Sequence, residues 1–162
     1  MDDLGRLVLA ALQQDGRQTI VSLARSLRLS PSAMLQRVKR LENDGCIRGY
    51  RAVVDPTCVG LGQQAVIAIQ VRHTRNALEN FERGIMKVEG IKSCYRVSGR
   101  YDYVLRAALE DVAHVGLMTK HEIAGIDGVS RIETMLVFAA VKSDDGWPTE
   151  RELIARKEHL SP

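Results

Sequence analysis

The sequence predicts an α+β chain, with a winged helix-turn-helix in its N-terminal third and a ferredoxin-like β-α-β-β-α-β domain behind it. Three observations carry this. Before Gly45, apolar residues recur at helical spacing in three short segments, punctuated by Gly, Ser and Pro. After Gln64, strand-like and helix-like runs alternate, and a corner of the form apolar-acid-Gly-apolar occurs twice, at Val88-Glu89-Gly90-Ile91 and at Ile126-Asp127-Gly128-Val129. The basic excess lies entirely in the first part: residues 1–60 hold nine Lys/Arg against six Asp/Glu, and residues 61–162 hold fourteen of each.

In the first helix, Leu4, Leu7, Val8, Ala11 and Leu12 form one apolar stripe. Asp15-Gly16 ends it, with Gly16 expected in the left-handed conformation that follows many helices. Thr19 is the expected N-cap of the second helix, whose buried face is Ile20, Leu23, Ala24 and Leu27. Ser30 caps the third, and Pro31 occupies its first position, where no N–H is needed. Met34, Val38 and Leu41 turn inward, while Ser32, Ala33, Gln36, Arg37, Lys39 and Arg40 face out. Leu35 either extends the core or touches a thymine methyl; we place it with the core. Asn43-Asp44-Gly45 closes the helix, and Ile47 to Val54 reads as a short hairpin or strand ahead of Asp55-Pro56.

Two short helices joined by a tight turn, the second polar and basic outside, describe a helix-turn-helix. A helix enters the major groove only if its outer face is slim and can donate hydrogen bonds. Small residues allow the approach, Gln and Arg read base edges, and Lys and Arg meet phosphates. Residues 17–51 carry eight basic side chains against two acidic, a local field that attracts a polyanion. A charge run alone is more often a solvated face; the helix pair shifts that balance. The candidate contacts to double-stranded DNA are Ser30, Ser32, Ala33, Gln36, Arg37, Lys39 and Arg40.

In the second part, Ala65 to Val71 is a strand. Asn76 with Glu79 forms a capping box for a helix on which Leu78, Phe81, Ile85 and Val88 share a face. Ile91 to Ser98 is the second strand, Gly99 to Asp102 a turn, and Tyr103 to Leu109 the third strand. Asp111 opens a less cleanly periodic helix, and Ser130 to Lys142 is a long fourth strand. Gly90 and Gly128 suit helix C-terminal caps. In a lone domain of this kind, water wets one sheet face and strands should alternate. These do not: Met135, Val137, Ala139 and Val141 lie on one face, and Leu136, Phe138 and Ala140 on the other. A second copy of the chain is the simplest cover, so a homodimer is expected.

Composition bounds the rest. Of the 162 residues, 45% are hydrophobic and 27% charged, with aromatics at 4%, so aliphatic side chains build the core of an ordinary globular protein. No apolar run is long enough to span a membrane, and the start, Met1-Asp2-Asp3-Leu4, lacks a signal-peptide pattern, so a cytoplasmic location is expected. Cys46, Cys58 and Cys94 form no CxxC pair and read as buried or half-buried thiols. His73, His114, His121 and His159 lack metal-ligand spacing. No nucleophile motif, Walker loop or dinucleotide fingerprint is present, so neither a catalytic residue, a metal nor a cofactor is expected.

Leu29-Ser30-Pro31, Leu35 to Glu42 and Gly45-Cys46-Ile47-Arg48-Gly49-Tyr50, with Leu12 to Arg17 before them, resemble the helix-turn-helix of the Lrp/AsnC, or feast/famine, regulators. The resemblance runs over about residues 2–142. It implies a DNA-binding unit at 1–50, a linker or hairpin strand at 51–63, and a dimerising, effector-binding domain at 64–142, the type called RAM. Residues 143–162 form a tail, read as a short helix, for which the resemblance implies no function. It also implies a transcription regulator that responds to a small molecule, commonly an amino acid, and dimers that assemble into octamers. Its motif is Val97-Ser98-Gly99-Arg100-Tyr101-Asp102-Tyr103. By resemblance Ser98, Gly99, Arg100, Tyr101, Asp102 and Thr134 line the effector site, with Asp102 suited to an ammonium group and backbone N–H groups or Arg100 to a carboxylate. Arg100 stands where the family often has an acidic or small residue. Taken alone, Gly-Arg-Tyr-Asp is a tight turn. Two rival readings stay open: an enzyme on the same two-part fold, similar to siroheme decarboxylases, and an architectural DNA-compacting protein with a vestigial ligand loop.

Overall fold

A computed structural model describes residues 1–142, in two compact units, Met1–Val53 and Val54–Val141. The expected tail at 143–162 lies outside the described residues. In the first unit, helix α1 spans Asp3–Gln14, α2 Ile20–Ser26 and α3 Pro31–Asn43. Each begins on a side-chain cap: Asp2 accepts from Gly5 N, Thr19 from Ser22 N, and Ser30 from Ala33 N. Val8, Leu23, Ala24, Met34, Val38 and Leu41 form the core. The stripe of α1 is rotated from the expected one: Leu7 is 48% exposed, and Leu9 packs inward instead. Gly16 has no positive φ; α1 ends on an extended Asp15, so the left-handed conformation expected of Gly16 is absent.

Two backbone bonds close α2 into its turn: Arg28 N donates to Arg25 O at 3.3 Å, and Leu29 N to Ala24 O at 2.9 Å. This is the Schellman arrangement, with Arg28 in the left-handed position at φ 56°. The strand or hairpin expected over 47–54 does not form. Val53 and Val54 stand exposed, Ile47 packs against the helices, and Tyr50, half in solvent, donates its hydroxyl to Glu42 of α3 at 3.1 Å. An apolar run becomes a strand only with a partner for its backbone, and none lies beside this one among the described residues.

In the second unit, a 3-10 turn at Pro56–Val59 leads to strand β1, Gln63–Val71. Then come α4 (Arg75–Ile85), β2 (Ile91–Arg96), β3 (Tyr103–Leu109), α5 (Val112–Leu117) and β4 (Val129–Leu136). The sheet order is β2-β3-β1-β4, every pair antiparallel. This is the ferredoxin-like β-α-β-β-α-β arrangement. Both helices cover one face, where Ile67, Ile69, Phe81, Leu105, Val115 and Ile123 are buried. The Phe81 and Tyr103 rings meet at 4.5 Å, and the Tyr103 hydroxyl donates to Glu82 at 2.7 Å. Burial, then this bond, push the Tyr103 phenol far above its ordinary value.

Thr74, not Asn76, caps α4, accepting from Ala77 N. Helix α5 continues as a π-helical stretch, Met118–Ile123, in which Ala124 N donates to Thr119 O five residues back. That wider turn explains its weak periodicity in sequence. Gly90 and Gly128 are left-handed, but in the corners beyond the helices rather than at their caps. At Gly128 a Cβ would lie 2.6 Å from the Ala77 Cβ, so only glycine lets this corner sit against α4. Strand β4 stops at Leu136, short of Lys142, and leaves Phe138 and Val141 exposed. Cys46 and Cys58 are exposed, against expectation; only Cys94 is half-buried. Among the described residues no helix is long and apolar enough to cross a membrane.

Candidate functional site

Helix α3 is held from below by Met34, Val38 and Leu41, at 0%, 5% and 7% exposure. That fixes which side looks out: Ser32, Ala33, Gln36, Lys39 and Arg40 are exposed. Ser30 Oγ holds the first turn and lies 3.2 Å from Ser32 Oγ. Arg40 meets Asp44 at 3.6 Å but stays largely in solvent. Leu35 is not in the core. It is 42% exposed, because at one residue past Met34 it falls on the flank of the helix.

Arg37 differs from its neighbours. It is half-buried, and its guanidinium binds both carboxylate oxygens of Asp2 at 2.7 Å. Arg37, followed by the Gly5 N–H, holds the Asp2 carboxyl below its ordinary value. The same carboxylate caps α1. Arg37 therefore joins the first and third helices, a role that sequence alone did not reveal. The signal was there in a second-position Asp three residues before a glycine, but its partner lay 35 residues away.

The loop after β2 is the second place of interest. Val97 N donates to Asp102 O, and Asp102 N to Ile69 O, both at 2.9 Å. The Asp102 carboxylate accepts from Val71 N at 2.8 Å and lies 2.7 Å from His73 Nε2. It is thus engaged with the end of β1, one partner on each oxygen, and any ammonium group it accepted would share the carboxylate with those two. Gln70 fixes the loop from the side, donating to Arg100 O at 2.6 Å. Ser98, Gly99 and Arg100 are exposed. Gly99 has φ 124°, and a Cβ there would meet nothing within 4 Å.

The Arg100 guanidinium lies 5.5 Å from the centre of the Tyr101 ring. The Tyr101 hydroxyl donates to Glu133 on β4, which raises the phenol's pKa. Glu133 is a residue the sequence reading missed. Thr134, placed at the effector site by resemblance, pairs with Ile67 on the helix-bearing side of the sheet and is exposed there, whereas Glu133 pairs with Ala68 on the other, open side. The open side also carries Val66, Tyr95, Val104, Ala108 and Met135, with Gln64, Gln70, Arg106 and Arg131 among them. Among the described residues no cluster of metal-ligating side chains occurs.

A helix-turn-helix with an uncovered polar and basic outer face, and a ferredoxin-like unit with an open loop, define a two-part DNA-binding regulator. Comparison with known proteins agrees. A winged helix-turn-helix DNA-binding model matches residues 1–48, and the Lrp/AsnC ligand binding domain matches residues 64–147. The chain is 32% identical to the leucine-responsive regulatory protein of Escherichia coli K12, over 90% of this chain and 89% of that one. It is 30% identical to the proline dehydrogenase transcriptional activator of Rhizobium radiobacter, over 88% and 92%. A Neisseria meningitidis transcriptional regulator solved with L-Met superposes with a TM-score of 0.89 at 31% identity, covering 94% of this chain and 99% of that one. The chain belongs to the Lrp/AsnC family of transcription regulators.

Proposed function

We propose that this protein binds specific DNA sites through α3 and changes its activity or assembly when an amino acid binds at the Gly99 loop. The observation that carries this reading is the outer face of α3, from Ser32 to Arg40, which the packing of its own unit leaves uncovered. Ser30, Ser32 and Ala33 bring the helix end into the major groove. Gln36 reads a base edge, and Lys39 and Arg40 meet phosphates. Leu35 adds an apolar contact. Arg37 acts as a brace rather than a reader.

Ser98, Gly99, Arg100 and Tyr101 receive the effector, with Asp102 anchoring their loop and Thr134 outside the contact set. Arg100 takes the effector's carboxylate. Two relatives, the Neisseria regulator and a feast or famine regulatory protein of M. tuberculosis, were each solved with L-methionine, which supports an amino acid here. The apolar residues on the open sheet face, Val66, Val104, Ala108 and Met135, support a homodimer with this face at its centre, and octamers follow by further assembly. The regulator works in the cytoplasm, beside its DNA.

Selection of a duplex from a random library, followed by binding titration, tests the DNA reading. Gln36→Ala is expected to weaken the selected site by about 1–3 kcal/mol. Unchanged affinity would remove Gln36 from the interface. A thermal-shift screen over the twenty amino acids tests the effector reading, since a ligand of the native state raises its melting temperature. A shift lost in Arg100→Ala is expected. Silence across the panel would sink the amino-acid assignment and leave DNA binding standing.

A further inference from the structure

Arg28 is, glycines aside, the one residue with positive φ among those described. It occupies the left-handed position of the Schellman turn that joins α2 to α3, where glycine is at ease and a Cβ is not. Among the described residues no contact rewards an arginine there. Its side chain is exposed and makes no ion pair among the described residues, so what sets Arg28 apart is its left-handed backbone. A strained, unpaired cation that persists in a turn points to a use outside the fold.

The position says what the use is. Arg28 comes two residues before Ser30, the cap of α3, and so stands at the end of the helix that carries Ser32 and Ala33. A helix end in the major groove is flanked by the sugar-phosphate backbone, and a long cation projecting from the preceding turn meets phosphate rather than bases. We infer that Arg28 is a DNA-backbone contact, a phosphate clamp set in the turn at the cost of local strain. The inference rests on the proposed reading of α3 as the DNA-binding helix.

The test uses the full chain and two labelled duplexes, one selected by the wild type and one of scrambled sequence, titrated over a range of salt. Arg28→Gly is expected to melt higher than the wild type, because the strain is gone. It should bind both duplexes more weakly by the same factor, with the slope of log affinity against log salt shallower by about 0.9, the value for one phosphate contact. Arg28→Lys should keep the slope. Arg28→Asn, which also tolerates the left-handed conformation, should reproduce the affinity loss of Arg28→Gly. Wild-type affinity and slope in both neutral variants would overturn the inference. A loss confined to the selected duplex would also overturn it, in favour of a base contact. If the wild type bound neither duplex, the reading of α3 would fail, and the clamp with it.

Discussion

Among single residues, Arg37 is the plainest lesson. In the sequence it stands between Gln36 and Lys39 and reads as one more DNA-facing cation. In the structure it is tied to Asp2, which also caps α1. Arg37→Ala and Asp2→Asn should each lower the melting temperature of the helical unit slightly, because the pair is open to solvent and screened by it. The double variant should lose less than the two separate losses together, and a mutant cycle measures this. The pH dependence has a definite sign. Because the folded carboxyl is held below its ordinary value, the stabilisation is fully present above about pH 4 and is lost as pH falls further. An acid titration of Asp2→Asn should therefore lack that part of the wild-type transition. Asp102 makes a similar point. Asp102→Ala leaves the Val71 N–H without its acceptor and should cost about 1–3 kcal/mol in denaturant unfolding. An unchanged unfolding midpoint would return Asp102 to the role of a free ligand group.

For whole elements, legibility followed locality. The caps Thr19, Ser30 and Asp111 were readable because each serves the amide three residues on. The order of strands and helices was readable because it depends on runs of side chains, and β3 was placed to the residue. Three misreadings share a cause in contacts beyond the run itself. The segment 47–54 has strand-like residues and, among the described residues, no strand beside it. Strand β4 ends where its pairing with β1 ends, at the level of Ala65, although apolar residues continue. Thr134 and Glu133 are adjacent, and only the register with β1 tells which of them faces Tyr101. Ser30→Ala should cost about 1 kcal/mol and, by fraying the end of α3, weaken DNA binding as well. Amide exchange across Ala33 and Met34 would report the fraying directly.

Taken whole, the molecule joins a unit built to meet a polyanion and a unit whose sheet has one face, apolar in part, uncovered by its own helices. On a dimeric reading, Met135→Asp places a charge on that face without touching the helical core. It should convert dimer to monomer in sedimentation equilibrium while the melting curve of the monomer stays cooperative. A dimer that persisted would move the interface elsewhere, with the exposed Phe138 and Val141 the next place to look.

The contact between Gly128 and Ala77 has a genetic consequence. Gly128→Ala imposes two separate penalties, a steric one against the Ala77 Cβ and a conformational one from φ 98°. Ala77→Gly removes the first and leaves the second. A search for suppressors of Gly128→Ala should therefore return Ala77→Gly, and the rescued protein should regain its fold but only part of its original melting temperature.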